Sequence, residues 1–87
     1  VFYMRGQILN NEDSSIARGN RLRKLRQMAK LTSAELAERA GISRATISYW
    51  ENALHSGMTK KGAERIIQVF NDAGILSTFD WLWFGIG

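Results

Sequence analysis

The stretch TSAELAERAGISRATISYWENA, residues 32–53, decides the fold. Thr32 precedes an apolar run and Glu35 follows it by three residues, the spacing of a capping box in which each side chain bonds the other residue's backbone N–H. Leu36, Ala37 and Ala40 then recur at helical spacing and predict a helix over 33–40. Gly41 stops it, since glycine enters the left-handed region without a Cβ penalty. Ser43 is placed to cap a second helix over about 43–51, with Ile47 and Trp50 on its buried side. Its other side carries Ser43, Arg44, Ala45, Ser48 and Tyr49. A helix facing only water would show Glu and Lys there. Short side chains, one Arg and one Tyr suit a surface that lies close against a partner.

Two helices joined by about three residues with a glycine in the turn cross at roughly 90–120° and form a helix-turn-helix. The crossing makes demands on the sequence. Ala37 must be small where the second helix passes over it, and Gly41 must accept a positive φ. Ile42 and Ile47 must fill the angle, and Trp50 must close the core from the far end. Each position carries the required residue type, and agreement at several positions in register makes the signal specific.

The flanking segments extend the helical pattern. Ser14 or Ser15 caps a helix over about 15–29, with Ile16, Leu22, Leu25 and Met28 close to one face. Thr59 caps a helix over about 60–73 whose buried face is Ile66, Ile67, Val69 and Phe70, and Gly74 ends it. Gly62 near its start is a liability of about 1 kcal/mol relative to Ala. STFD (77–80) reads as another capping box, with Ser77 as cap and Asp80 at the third helical position, opening a helix over about 78–84 that Gly85 ends. No strand pattern, repeat or low-complexity segment is visible. The predicted class is all-α: a compact five-helix domain over 15–87 with its helix-turn-helix at 33–51, preceded by an arm or extra segment over 1–14.

Composition narrows the function. A chain of 87 residues allows one domain, which buries only roughly 60–65% of its unfolded surface. The absence of cysteine excludes disulfides and thiolate metal sites and fits a reducing compartment. No apolar run approaches the roughly 18–20 residues that span a bilayer, and Arg5 and Gly6 make VFYMRGQIL (1–9) a poor signal peptide. Net charge +4 and a pI near 10.0 match the electrostatic footprint of a nucleic-acid binder. The basic residues concentrate in RLRKLRQMAK (21–30), expected to be mostly the solvated face of the first helix, with one or two members reaching nucleic acid. MTKK (58–61) adds a pair. A single histidine, no glycine-rich phosphate loop and no paired arrangement of Asp72 and Asp80 leave no catalytic, metal or cofactor site to assign.

RLRKLRQMAKLTSAELAERAGISRATISYWENA (21–53) resembles the phage-repressor helix-turn-helix family, typified by lambda repressor and Cro and including the xenobiotic-response-element type. GILSTFDWLWFGIG (74–87) is similar to that family's last helix, more weakly. The resemblance implies a lambda-repressor-like DNA-binding domain that acts as a homodimer on near-palindromic double-stranded operators. The second helix of the motif would lie in the major groove. Arg44, Ala45 and Tyr49 then occupy base-reading positions, with Thr46 and Ser48 beside them. The chemistry agrees: Arg can bond guanine O6 and N7 together, and Ala45 and the Thr46 methyl can meet a thymine methyl. Phosphate contacts fall to Ser33 and Ser43 at helix starts, and to Asn52, His55, Ser56, Thr59, Lys60 and Lys61 beyond the motif. The family also pairs a first-helix Arg with the Glu ending the recognition helix, here Arg26 and Glu51, a structural ion pair. Two positions depart from the pattern. Ala53 stands where many relatives have Gly, so Asn52 is expected to take the left-handed turn. Ser33 replaces a common Gln and predicts a shorter phosphate contact.

FDWLWFGIG (79–87) carries more apolar surface than a small domain can hide. Trp81 and Leu82 are expected in the core, and Phe79, Trp83, Phe84 and Ile86 in a partner surface. The favoured partner is a second copy, the alternative being a domain following Gly87 in a longer parent. The function expected from all this is a sequence-specific transcriptional regulator, most simply a repressor that blocks polymerase sterically. It would work in the bacterial or phage-infected cytoplasm, at the nucleoid when bound, with no membrane or small-molecule partner visible. The alternative is a protein-interaction module, antitoxin-like, whose active surface is the WLWFGIG end.

Overall fold

The computed structural model describes residues 14–54 and 57–86. Five helices follow in order: α1 Ser15–Met28, α2 Ser33–Ala40, α3 Arg44–Glu51, α4 Lys60–Asp72 and α5 Phe79–Phe84. The described residues contain no strand. Every helix starts the same way. Ser14, Thr32, Ser43, Thr59 and Thr78 are extended residues whose hydroxyls accept the backbone N–H three residues on, which satisfies a donor the helix cannot. The Thr32–Glu35 capping box forms in both directions, at 3.1 and 2.8 Å.

The cap of α5 differs from the sequence expectation. Thr78, not Ser77, opens the helix and accepts from Trp81 N at 3.1 Å. Ser77 instead donates its backbone N–H and its hydroxyl to Asn71 Oδ1, at 3.0 and 3.2 Å, tying the connection back to the end of α4. That shift moves Asp80 to the second helical position.

Each helix contributes a fully buried side chain: Leu22 from α1, Leu36 from α2, Ile47 from α3, Ile66 and Phe70 from α4, and Leu82 from α5. α1 packs on α3 and α5, α2 on α3 and α4, and α4 on α5. In α1 the expected apolar face is only half right, because Ile16 and Met28 are 67% and 55% exposed. At 100° per residue both lie about 120° from Leu22, on opposite sides of it. The face that α1 actually buries is Gly19, Leu22 and Leu25. Ile67 of α4 is only half-buried, at the edge of the core.

Two glycines set how closely α1 and α4 approach the end of α3. A Cβ on Gly19 would strike the carbonyl oxygens of Trp50 and Glu51, and one on Gly62 would strike the Trp50 ring. Gly62 is therefore where the indole of Trp50 crosses α4, and its helical liability is the condition for that contact.

Candidate nucleic-acid interface

The turn between α2 and α3 is three residues long, 41–43. Gly41 has φ 70°, and the N–H groups of Gly41 and Ile42 donate to Glu38 and Ala37 carbonyls at 3.4 and 3.0 Å. Ala37 is buried where α3 crosses, Ile42 packs half-buried on the core, and Ile47 and Trp50 are buried. With Ile47, Trp50 and Glu51 turned inward, the opposite face of α3 is fixed by helical geometry. Arg44, Ala45, Ser48, Tyr49 and Asn52 are all exposed on it. The first four are residues that the resemblance places against base edges, and Asn52 is one it places against phosphate.

Thr46 behaves differently. It is half-buried, and its hydroxyl lies 2.7 Å from the Ser43 hydroxyl, which also accepts Thr46 N at 3.1 Å. Thr46 therefore belongs to the cap that starts the helix. Ser33 is half-buried at the first turn of α2, and Thr59, Lys60 and Lys61 are exposed at the start of α4. Lys61 borders a cleft between the α2–α3 turn and α4, and Arg65 borders the same cleft one helical turn on. Nothing in the sequence reading singles out Arg65; its spacing of four from Lys61 is the signal that could have. His55 and Ser56 lie outside the described residues, as do residues 1–13 of the proposed arm.

The buried end of α3 is held by α1. Glu51 accepts Arg26 Nε at 2.6 Å and Nη2 at 3.0 Å, with side chains only 5% and 18% exposed. This two-bond geometry is the strong form of the contact. The hydrogen bond to Glu51 raises the Arg26 guanidinium above its ordinary value, against the opposing effect of burial. Removing one partner of such a pair can cost about 3–5 kcal/mol. Arg26 Nη1 also donates to the Leu31 carbonyl at 3.1 Å and so fixes the α1–α2 connection.

The basic run of α1 is not mostly a solvated face. Arg18 Nε donates to the Trp83 carbonyl at 2.9 Å and its guanidinium lies 4.0 Å from the Trp83 ring centre. Arg21 donates to the Leu82 and Trp83 carbonyls at 2.9 and 3.1 Å. Arg23 donates to the Glu51 carbonyl at 3.1 Å and lies 3.5 Å from its carboxylate. Arginines thus close the C-terminal ends of both α3 and α5, where free carbonyls and the helix dipole favour cations.

Those contacts also rearrange the aromatic end. Trp83 is buried under Arg18, whereas Trp81 is only half-buried. Phe79 stacks on Trp83 at 5.6 Å and meets Phe84 edge-on at 6.4 Å. The exposed apolar surface here is therefore Phe84, 40% exposed, and Ile86, 59% exposed, flanked by half-buried Phe79. Trp83 leaves the expected partner surface and joins the core.

A helix-turn-helix whose second helix is locked on one side and presents an exposed polar strip on the other defines a DNA-binding module. The chain matches the helix-turn-helix family model over residues 22–71, more than half its length, and belongs to the lambda repressor/Cro-like helix-turn-helix family. It is accordingly a DNA-binding regulator of transcription by family. No curated protein and no solved structure matches it significantly. Among the described residues, no helix is long and apolar enough to cross a membrane.

Proposed function

We propose that residues 15–87 form a phage-type repressor domain that reads a near-palindromic operator as a homodimer. The observation that carries this is the strip of Arg44, Ala45, Ser48 and Tyr49, exposed together on α3 while the helix's other face is buried. Two copies of α3 would enter successive major grooves about 34 Å apart. Arg44 reads a guanine, Ala45 meets a thymine methyl, and Ser48 and Tyr49 bond neighbouring edges or phosphate. Ser33, Ser43, Thr59, Lys60 and Lys61 hold the backbone on either side and set register. Asn52 stands with them, although its side chain already bonds within the protein. His55 and Ser56 complete the proposed phosphate contacts. Occupancy of the operator in the cytoplasm of a bacterium or an infected host excludes polymerase.

Phe84 and Ile86, with Phe79, are the proposed contact between copies. Their exposure also favours a second reading, a protein-interaction module whose DNA affinity is secondary. Titration of random-sequence and operator duplexes across a salt series separates the two. A subunit that neutralises about five phosphates gives a slope of log K against log salt near −4 to −5. An interaction module gives a flat, weak response and keeps its protein partner across the same series.

A further inference from the structure

We infer that Arg23 is a positioning residue for DNA reading: through Asn52 it fixes the C-terminal half of α3, and with it Ser48, in the groove-facing orientation. The inference rests on the reading of α3 as the base-contacting helix.

The geometry is a strap of hydrogen bonds. Arg23 Nη2 donates to the Glu51 carbonyl at 3.1 Å and to Asn52 Oδ1 at 3.2 Å. Asn52 Nδ2 in turn donates to the Ser48 carbonyl at 2.9 Å and sits 3.4 Å from the Ser48 hydroxyl. Both ends of the Asn52 amide are thus engaged within the protein. One guanidinium nitrogen reaches, through one amide, the last turn of α3 and a side chain of its exposed strip.

This task is separate from that of Arg26. Arg26 and Glu51 form the deep pair that holds α3 to the core, with both side chains largely buried. The Arg23 side chain is 38% exposed and lies at the rim, where it meets the carbonyl end of α3. Without it, α3 keeps its deep anchor, but its last turn and the Ser48 hydroxyl lose the fork that orients them. Specific recognition depends on such orientation, whereas non-specific attraction to phosphates depends mainly on charge. Lysine keeps the charge but presents a point donor instead of a planar fork.

The test measures affinity for the selected operator and for a random duplex, with salt slopes for both. It uses the wild type, Arg23→Lys, Arg23→Gln, Asn52→Ala and the Arg23→Lys/Asn52→Ala double variant, each confirmed folded by its thermal transition. Both Arg23 variants should lower the ratio of specific to random affinity by about tenfold, the size expected for a coupled hydrogen-bond network. For Arg23→Lys, which keeps the charge, affinity for the random duplex and the salt slope should stay as in the wild type. The double variant should lose no more of that ratio than the larger single loss. An Arg23→Gln variant that weakens both duplexes equally and lowers the slope by about one, with Arg23→Lys unchanged, would make Arg23 a phosphate contact and overturn the inference. Unchanged discrimination in both Arg23 variants would overturn it as well. If the wild type itself binds all duplexes alike, the reading of α3 fails and this inference with it, a result distinct from the two before.

Discussion

At the residue scale, the turn after α3 runs on an alanine in an unfavourable conformation. Ala53 has φ 56°, while Asn52 keeps φ −102°. The sequence offered Asn52 as the left-handed residue because asparagine tolerates that region better. The structure assigns Asn52 to the α3 C-cap instead, with its side chain bonded back to Ser48, and the left-handed step falls one residue later. Ala53→Gly removes the Cβ penalty and should stabilise the fold by about 0.5–1 kcal/mol, read as a higher urea midpoint at unchanged slope. Glu35 gives a second prediction. The Thr32 backbone N–H bonded to its carboxylate holds Glu35 below the usual carboxylate range. A depressed folded value means the stabilisation is present above the unfolded-state value near 4.5 and is lost as pH falls through the folded one. The stability difference between wild type and Glu35→Gln should therefore be constant from pH 7 to about 5 and shrink below about 4, where a pH series of urea midpoints would show it.

At the element scale, what matters is how α1 and α4 grip the end of α3. Gly62→Ala offers two opposed effects. Helix propensity alone favours the alanine by about 1 kcal/mol. Its Cβ, however, would fall on the Trp50 ring, and overpacking costs about 1–3 kcal/mol. We expect the variant to melt lower than the wild type, with blue-shifted or broadened Trp50 signals; a higher melting temperature would contradict this packing. The same contrast explains what could be read in advance. The caps of α1 to α4, the stop at Gly41 and the inward set Ala37, Ile47, Trp50 were legible because local backbone chemistry and period dictate them. The partition of Ile16 and Met28 to solvent was not, because four apolar residues spread over more arc than α1 buries. Nor was the use of the α1 arginines. A basic run looks alike whether its members face water or cap the carbonyls of a helix far away in sequence, as Arg18, Arg21 and Arg23 do. Of the site, the exposed strip on α3 followed from the buried one. The Arg23–Asn52–Ser48 strap was not legible, since it depends on how α1 packs against the end of α3.

At the scale of the whole molecule, the proposed function gives the domain two working ends. One is the α3 strip with the cations at the start of α4. The other is Phe84 and Ile86 beyond the buried Trp83. If the second end joins two copies, Phe84→Glu should leave the thermal transition of dilute protein within about 1 kcal/mol of wild type, as for a surface substitution. It should weaken binding to a duplex with two half-sites while sparing a duplex with one. Equal loss on both would place Phe84 outside the contact between copies. Base-edge reading by α3 is tested by selection from a pool of random duplexes, run on the wild type and on Arg44→Ala side by side. The expected result is a palindromic consensus whose guanine relaxes at one position per half-site in the variant, at about 1–3 kcal/mol of lost discrimination. A consensus unchanged by the substitution, or none at all from the wild type, would contradict it.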